Sequence, residues 1–104
     1  PAQFNLAVMH QKGEGVPFDN KIAIQYYYSA ASQGYSRAQF NLAVMYQRGI
    51  GTRQDLVEAF LWYGRAANQG DKEAESRMIL VSENIPASLL TKARETLKKE
   101  FNQN

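Results

Sequence analysis

The chain has no cysteine, one histidine and three prolines among 104 residues. Lack of cysteine excludes a disulfide framework, a thiol nucleophile and a thiolate metal site. It leaves the compartment open, because exported proteins can also lack cysteine. A single histidine, His10, cannot build a His-Glu-x-x-His zinc site. The longest aliphatic run is Met78-Ile79-Leu80-Val81, far short of the roughly 18 residues that cross a bilayer. No signal peptide is visible. Net charge is only +2, without the concentrated basic stripe that marks a nucleic-acid surface. No stretch alternates apolar and polar residues long enough to argue for a strand. What remains is a chain sized for one domain. Its composition is that of an ordinary globular protein, 44% hydrophobic and 21% charged.

What is present is a repeat. Ala-Gln-Phe-Asn-Leu-Ala-Val-Met fills residues 2–9 and returns letter for letter at 38–45, an offset of 36. Across residues 1–36 and 37–72, 18 of 36 positions are identical, among them Gly13/Gly49, Asp19/Asp55, Tyr27/Tyr63 and Gly34/Gly70. A fixed period of that length is the signature of a stacked repeat array. Each unit reads as two helices, so the fold class is all-α. In the first helix, Ala2, Leu6, Met9 and Gly13 recur at helical spacing as the inward stripe, and Gly13 ends it. Asp19 caps the second helix, which carries Ile22, Ala23, Tyr26, Tyr27, Ala30 and Ala31 and stops at Gly34. The next unit repeats the plan, with Ser36 and Gln39 as a capping box. Small alanines (Ala7, Ala30, Ala31 and their copies) let helices approach, and Tyr26, Tyr27, Trp62 and Tyr63 fill the gaps. Gly64, inside a helix, costs roughly 1 kcal/mol against alanine with no local reason for it.

A third unit starts at Asp71, where Ala74 and Met78 keep the register of Ala38 and Leu42. The glycine connector then fails to arrive. Ile85-Pro86 breaks the helix, with Pro86 suited to a first turn. A last helix follows with an apolar stripe of Leu89, Leu90, Ala93, Leu97 and Phe101 and a charged remainder. That is the pattern of a helix that closes the end of an array. The chain thus divides into repeat 1 (1–36), repeat 2 (37–72), and a partial third repeat plus capping helix (73–104). Because it opens on Pro1, already inside a repeat, it reads as a fragment of a longer protein.

The pattern Ala38, Leu42, Ala43, Tyr46, Gly49, Gly51, Asp55, Ala59, Trp62, Tyr63, Ala66, Ala67, Gly70, matched almost as well by Ala2 through Gly34, resembles the Sel-one-like repeat, a relative of the tetratricopeptide repeat. The resemblance covers about two thirds of the chain. It implies a right-handed superhelical α-solenoid of antiparallel helix pairs, with first helices lining a concave side. It also implies adaptor or scaffold work, often in bacterial signalling, envelope or host-contact processes. Alanine at Ala7 and Ala43 replaces the usual glycine, and His10 replaces tyrosine. One secreted branch of that family carries a disulfide in each repeat; the lack of cysteine separates this chain from it.

No residue carries an enzymatic reading. His10 stands at the position of Tyr46 and reads as packing. Gly13-Glu14-Gly15 and Gly49-Ile50-Gly51 lack the strand before and the Gly-Lys-Ser/Thr after that a phosphate loop needs. No carboxylates pair for acid–base work. Catalytic, metal and cofactor residues are therefore none. Tyr28, opposite Gly64 in the alignment, is the free tyrosine of its run, and Lys92, Arg94, Lys98 and Lys99 form a solvated basic face. The stripe beside the inward one runs through Pro1, Asn5, Val8 and Lys12, then Arg37, Asn41, Val44 and Arg48, then Glu73, Arg77, Leu80 and Asn84, and its candidate partner-binding members are Asn5, Val8, Lys12, Arg37, Asn41, Val44, Arg48 and Arg77. Phe4 and Phe40, one residue over, are candidate apolar anchors. In the resembling tetratricopeptide family this stripe holds peptide, asparagine bonding to backbone or carboxylate, with Lys and Arg supplying charge. The partner is a protein or peptide, with no nucleic acid and no membrane span, and some end-to-end self-association is expected. Two alternatives stand beside it. One is a purely architectural segment of a longer solenoid. The other is an enzyme-regulating, immunity-type inhibitor.

Overall fold

The computed structural model describes residues 1–102, and these form six helices and no strand. They are α1 (Ala2–Lys12), α2 (Asn20–Ser32), α3 (Ser36–Arg48), α4 (Leu56–Asn68), α5 (Lys72–Ser82) and α6 (Ala87–Phe101). The boundaries have local causes. Asp19, Asp55 and Asp71 each accept backbone N–H bonds as N-caps of α2, α4 and α5, at 2.9–3.2 Å, satisfying donors that the first helical turn leaves open. Gly13 and Gly49 end α1 and α3 in the left-handed conformation, both at φ 71°, where any side chain would be strained.

One expected cap is absent. Tyr35, not Ser36, precedes α3, and no side chain caps that helix. Gln39 instead donates from Nε2 to the Ala31 carbonyl at 3.1 Å. The Ala31 carbonyl also accepts the Gly34 N–H at 3.0 Å, so the Gln39 amide satisfies its own buried donor by adding a second bond at the end of α2. Pro86 likewise stands just before α6 rather than in its first turn.

The helices stack in chain order, α1 on α2, α2 on α3, α3 on α4 and α4 on α5. Tyr27, Phe60 and Tyr63, with Leu42 and Met45, are the largest fully buried side chains, set among alanines with no exposure. Each tyrosine hydroxyl donates to a glutamine of its own first helix, Tyr27 to Gln11 Oε1 at 2.7 Å and Tyr63 to Gln47 Oε1 at 2.6 Å. Between units, Gln69 Nε2 donates to the Gly34 carbonyl (2.9 Å) and to Gln39 Oε1 (2.8 Å). The duplicated letters Tyr, Gln and Gly thus make the bonds that fasten helix to helix and unit to unit. On α1, however, the stripe read as inward is largely open: Ala2 is exposed, and Leu6 and Met9 are half-buried.

The last helix departs from the plan. Its apolar stripe does cover a surface, burying Ala93 and Leu97, but the surface is the outer side of α4, not the open side of α5. The aligned letters explain why. Where α2 has Lys21, Gln25 and Tyr28, α4 has Val57, Leu61 and Gly64, an apolar face in place of a polar one. Gly64 gives the notch: a Cβ there would run into Leu97 and lie 3.2 Å from Met78 Cε. Arg65 then locks the helix down, donating to both carboxylate oxygens of Glu100 at 2.9 and 2.7 Å while lying 4.3 Å over the Trp62 ring. With α6 drawn away, Ile79 and Leu80 of α5 stay more than half exposed.

Candidate interaction surface

The predicted stripe falls on α1, α3 and α5. Asn5, Lys12, Arg37 and Arg48 are exposed, while Phe4, Val8, Phe40, Asn41, Val44 and Arg77 are half-buried. The phenylalanines are not free anchors. Phe4 packs edge-on against Tyr27 and Tyr35, with centroids 5.7 and 5.1 Å apart, and Phe40 against Tyr63 at 5.5 Å. Each ring is covered by an arginine from the next unit: Arg37 lies 5.9 Å over Phe4, and Arg77 lies 5.1 Å over Phe40. Arg77 is also paired with Glu73 at 3.0 Å. These contacts tie neighbouring first helices together while leaving the edges of the guanidinium groups to solvent.

Asn41 sits beside the buried Tyr27 hydroxyl. Burial pushes that phenol up, and Asn41 pulls it the other way. One period on, burial pushes the Tyr63 phenol up and Arg77 opposes it. The position held by Asn41 and Arg77 therefore meets the tyrosine of the preceding unit. Arg37, Phe40 and Asn41 line one cavity of about 240 Å³ together with Asp71 and Glu73. Asn5, Val8, Lys12, Val44 and Arg48 do not line it. Glu73 stands on the predicted stripe. Asp71 is the member sequence reasoning missed, because it reads as the cap of α5 and caps it here.

Away from this face, His10 packs as its alignment with Tyr46 implied. Its ring stacks on Tyr26 at 5.9 Å and 11°, and its Nδ1 lies 3.2 Å from the Pro17 carbonyl, so Nδ1 carries the proton. Tyr28 is half exposed and edge-on to Trp62 at 5.7 Å. The Trp62 indole N–H is buried without a well-formed hydrogen bond. It nonetheless lies near Glu58, whose carboxyl is pushed up by burial and by Asp55, against smaller opposing pulls from Arg65 and from that indole. Among the described residues, no three His, Asp or Glu side chains gather where they could hold a metal ion. No helix there is long and apolar enough to cross a membrane.

The Sel1 repeat family model matches residues 1–35 and again 36–71. Among solved structures, the chain is similar to a Sel1 repeat protein from Oxalobacter formigenes, with 43% identity and a TM-score of 0.71 over 74% of this chain. It is also similar to a protective antigen of uropathogenic Escherichia coli strains that displays an SLR fold, with 31% identity and a TM-score of 0.86 over 96% of this chain. The chain spans only 32% and 21% of the lengths of those two proteins. No curated protein matches it. Two consecutive matches covering most of the residues, joined to a stack of helix pairs fastened by the same repeated Tyr, Gln and Gly, mean that the chain belongs to the Sel1 repeat family and has its α-solenoid fold.

Proposed function

We propose that the chain is a non-enzymatic interaction module that holds an extended peptide or the surface of a partner protein along its first helices. Sel1 repeats generally mediate protein–protein interaction, which supports the broad reading. The finer reading rests on one observation: Arg37, Phe40 and Asn41 open onto a common cavity with Asp71 and Glu73. The phenylalanine gives that cavity an apolar wall, and Asn41 has both a donor and an acceptor for a peptide unit. Arg37 is placed for a carboxylate, and Asp71 and Glu73 for a basic side chain. Exposed Lys12 and Arg48 extend the basic rim, and Asn5, Val8 and Val44 continue the stripe on either side.

A peptide selected against the chain from a displayed library supplies the test. Reversing Arg37→Glu and Arg48→Glu should weaken its binding at least tenfold, about 1.4 kcal/mol. Both side chains are exposed, so the circular dichroism should hardly change, and losing the Arg37 contact over Phe4 should lower the melting midpoint by only a few degrees. Unchanged affinity would rule this surface out.

A further inference from the structure

Letters that differ between the repeats gather around a second cavity, which shares no residue with the one at Arg37. It holds about 390 Å³ between Lys21, Ile24 and Tyr28 of α2, Tyr46 of α3, and Gly51 and Thr52 of the turn that follows. That turn is pressed against α2: a Cβ at Gly51 would run into the Asn20 carbonyl oxygen. Tyr28, half exposed, stands edge-on to Trp62 at 5.7 Å. Trp62 is only 6% exposed, and its indole N–H is buried without a well-formed hydrogen bond. The Tyr46 phenol is pushed up by burial first, then by Glu58, Tyr28 and Asp55. Glu58 thus lies near both Tyr46 and Trp62, and it forms no ion pair among the described residues. In repeat 1 the positions of Tyr46, Glu58 and Trp62 are held by His10, Ile22 and Tyr26. There His10 stacks on Tyr26, and an aliphatic side chain stands in place of the carboxylate.

Two arginines of this chain already rest in settings of that kind. Arg77 lies over Phe40 and pairs with Glu73, and Arg65 lies over Trp62 and pairs with Glu100. Each guanidinium has a ring beneath it and a carboxylate at its edge. Tyr28, Tyr46 and Glu58 offer the same chemistry, yet among the described residues no arginine lies over either ring. Arg65 is committed to Glu100 and exerts only a smaller pull on Glu58. We infer that the cavity between α2 and the α3–α4 turn receives an arginine side chain of a partner protein, with its guanidinium against Tyr28 and Tyr46 and its charge met by Glu58. Ile24 gives the aliphatic stem an apolar wall, and the Thr52 hydroxyl is a further acceptor. A guanidinium suits the site better than an ammonium, because it is planar, stacks on rings and is more weakly hydrated. Lys21, exposed on the same wall, opposes a cationic guest, so reversing its charge strengthens binding. The site is a pocket for one side chain and stands apart from the first-helix stripe, so either reading can fail alone.

The probe is the tripeptide acetyl-Ala-Arg-Ala-amide, titrated into the full ¹⁵N-labelled chain. It should give saturable shifts at the Trp62 indole N–H and at the backbone amides of Tyr28, Tyr46, Gly51 and Thr52. The same peptide with citrulline, which keeps the shape and lacks the charge, should leave those signals still. The lysine peptide should bind at least about threefold more weakly. In the chain, Glu58→Gln should weaken the arginine peptide at least about tenfold, and Lys21→Glu should tighten it about threefold. Arg37→Glu/Arg48→Glu should leave it unchanged. Lys21 is exposed, so that variant keeps the test open even where Glu58→Gln disturbs the fold. The inference is overturned if the named signals do not move or if the citrulline peptide moves them equally. It is overturned too if a folded Glu58→Gln chain binds as tightly, if Lys21→Glu gives no gain, or if the shifts fall only at Asp71 and Glu73.

Discussion

Leu6 and Leu42 are the same residue in the same eight-letter context, yet only Leu42 has a helix on both sides. Leu42→Ala removes a fully buried side chain and should cost about 2–5 kcal/mol. Leu6→Ala, on the open face of α1, should cost about 1 kcal/mol. Urea denaturation of the two variants checks this, and equal losses would mean that α1 is covered after all. Gly64 gives a second test with a change of sign. Alanine there gains up to about 1 kcal/mol of helix propensity but crowds Leu97 and Met78, and overpacking of that kind costs about 1–3 kcal/mol. Gly64→Ala should therefore destabilise the chain on its own and become neutral or stabilising when Leu97→Ala opens the notch. Residue roles were legible where a letter has one job, as with the aspartate caps, the glycine stops and the tyrosines. They were not where a letter has two. Gln39 has the spacing of a capping residue and is spent on the preceding helix, and Asp71 caps α5 while closing a cavity on α3.

At the level of elements, helix number and order follow from periodicity and caps. The docking site of α6 does not. It is written in the positions where the repeats differ, Lys21/Val57, Gln25/Leu61 and Tyr28/Gly64, and identity was the signal being followed. Two carboxylates that feel Arg65, Glu100 of α6 and Glu58 of α4, give opposite pH dependences. Arg65 holds the Glu100 carboxyl below its ordinary 4.5. The folded state thus releases that proton more readily than the unfolded chain, and the contribution is present above about pH 4.5 and fades as pH falls through the folded value. Glu100→Gln should cost no more than about 1 kcal/mol at pH 7, because the pair is partly exposed, and the cost should vanish in acid. Glu58 is pushed up by burial, so its contribution is present below about pH 4.5 and lost as pH rises through the folded value. Glu58→Gln should be neutral or stabilising at pH 7, with the gain disappearing in acid. Denaturant titrations of both variants at pH 7 and pH 3.5 check the pair. Parallel pH dependences would contradict the environments assigned to these carboxylates.

The described chain measures 42 × 30 × 19 Å, a slab of stacked helix pairs rather than a sphere. In such an array each unit contacts chiefly its neighbours. Residues spaced 36 apart therefore line one continuous face, and the stripe running from Asn5 through Arg37 and Asn41 to Arg77 is a property of the period. The period itself was plain in the sequence. Glu73 was legible on that stripe too, but the second carboxylate of its cavity was not, because Asp71 carries the signature of a helix cap and reaches the cavity from that position. The central claim is that partners are held along the first helices. It is tested most directly by mapping a selected peptide ligand onto the ¹⁵N-labelled chain. The account predicts saturable shifts concentrated at Arg37, Phe40, Asn41 and Glu73, lost in the Arg37→Glu/Arg48→Glu variant. A footprint on the outer side of α2 and α6, untouched by that variant, would contradict it.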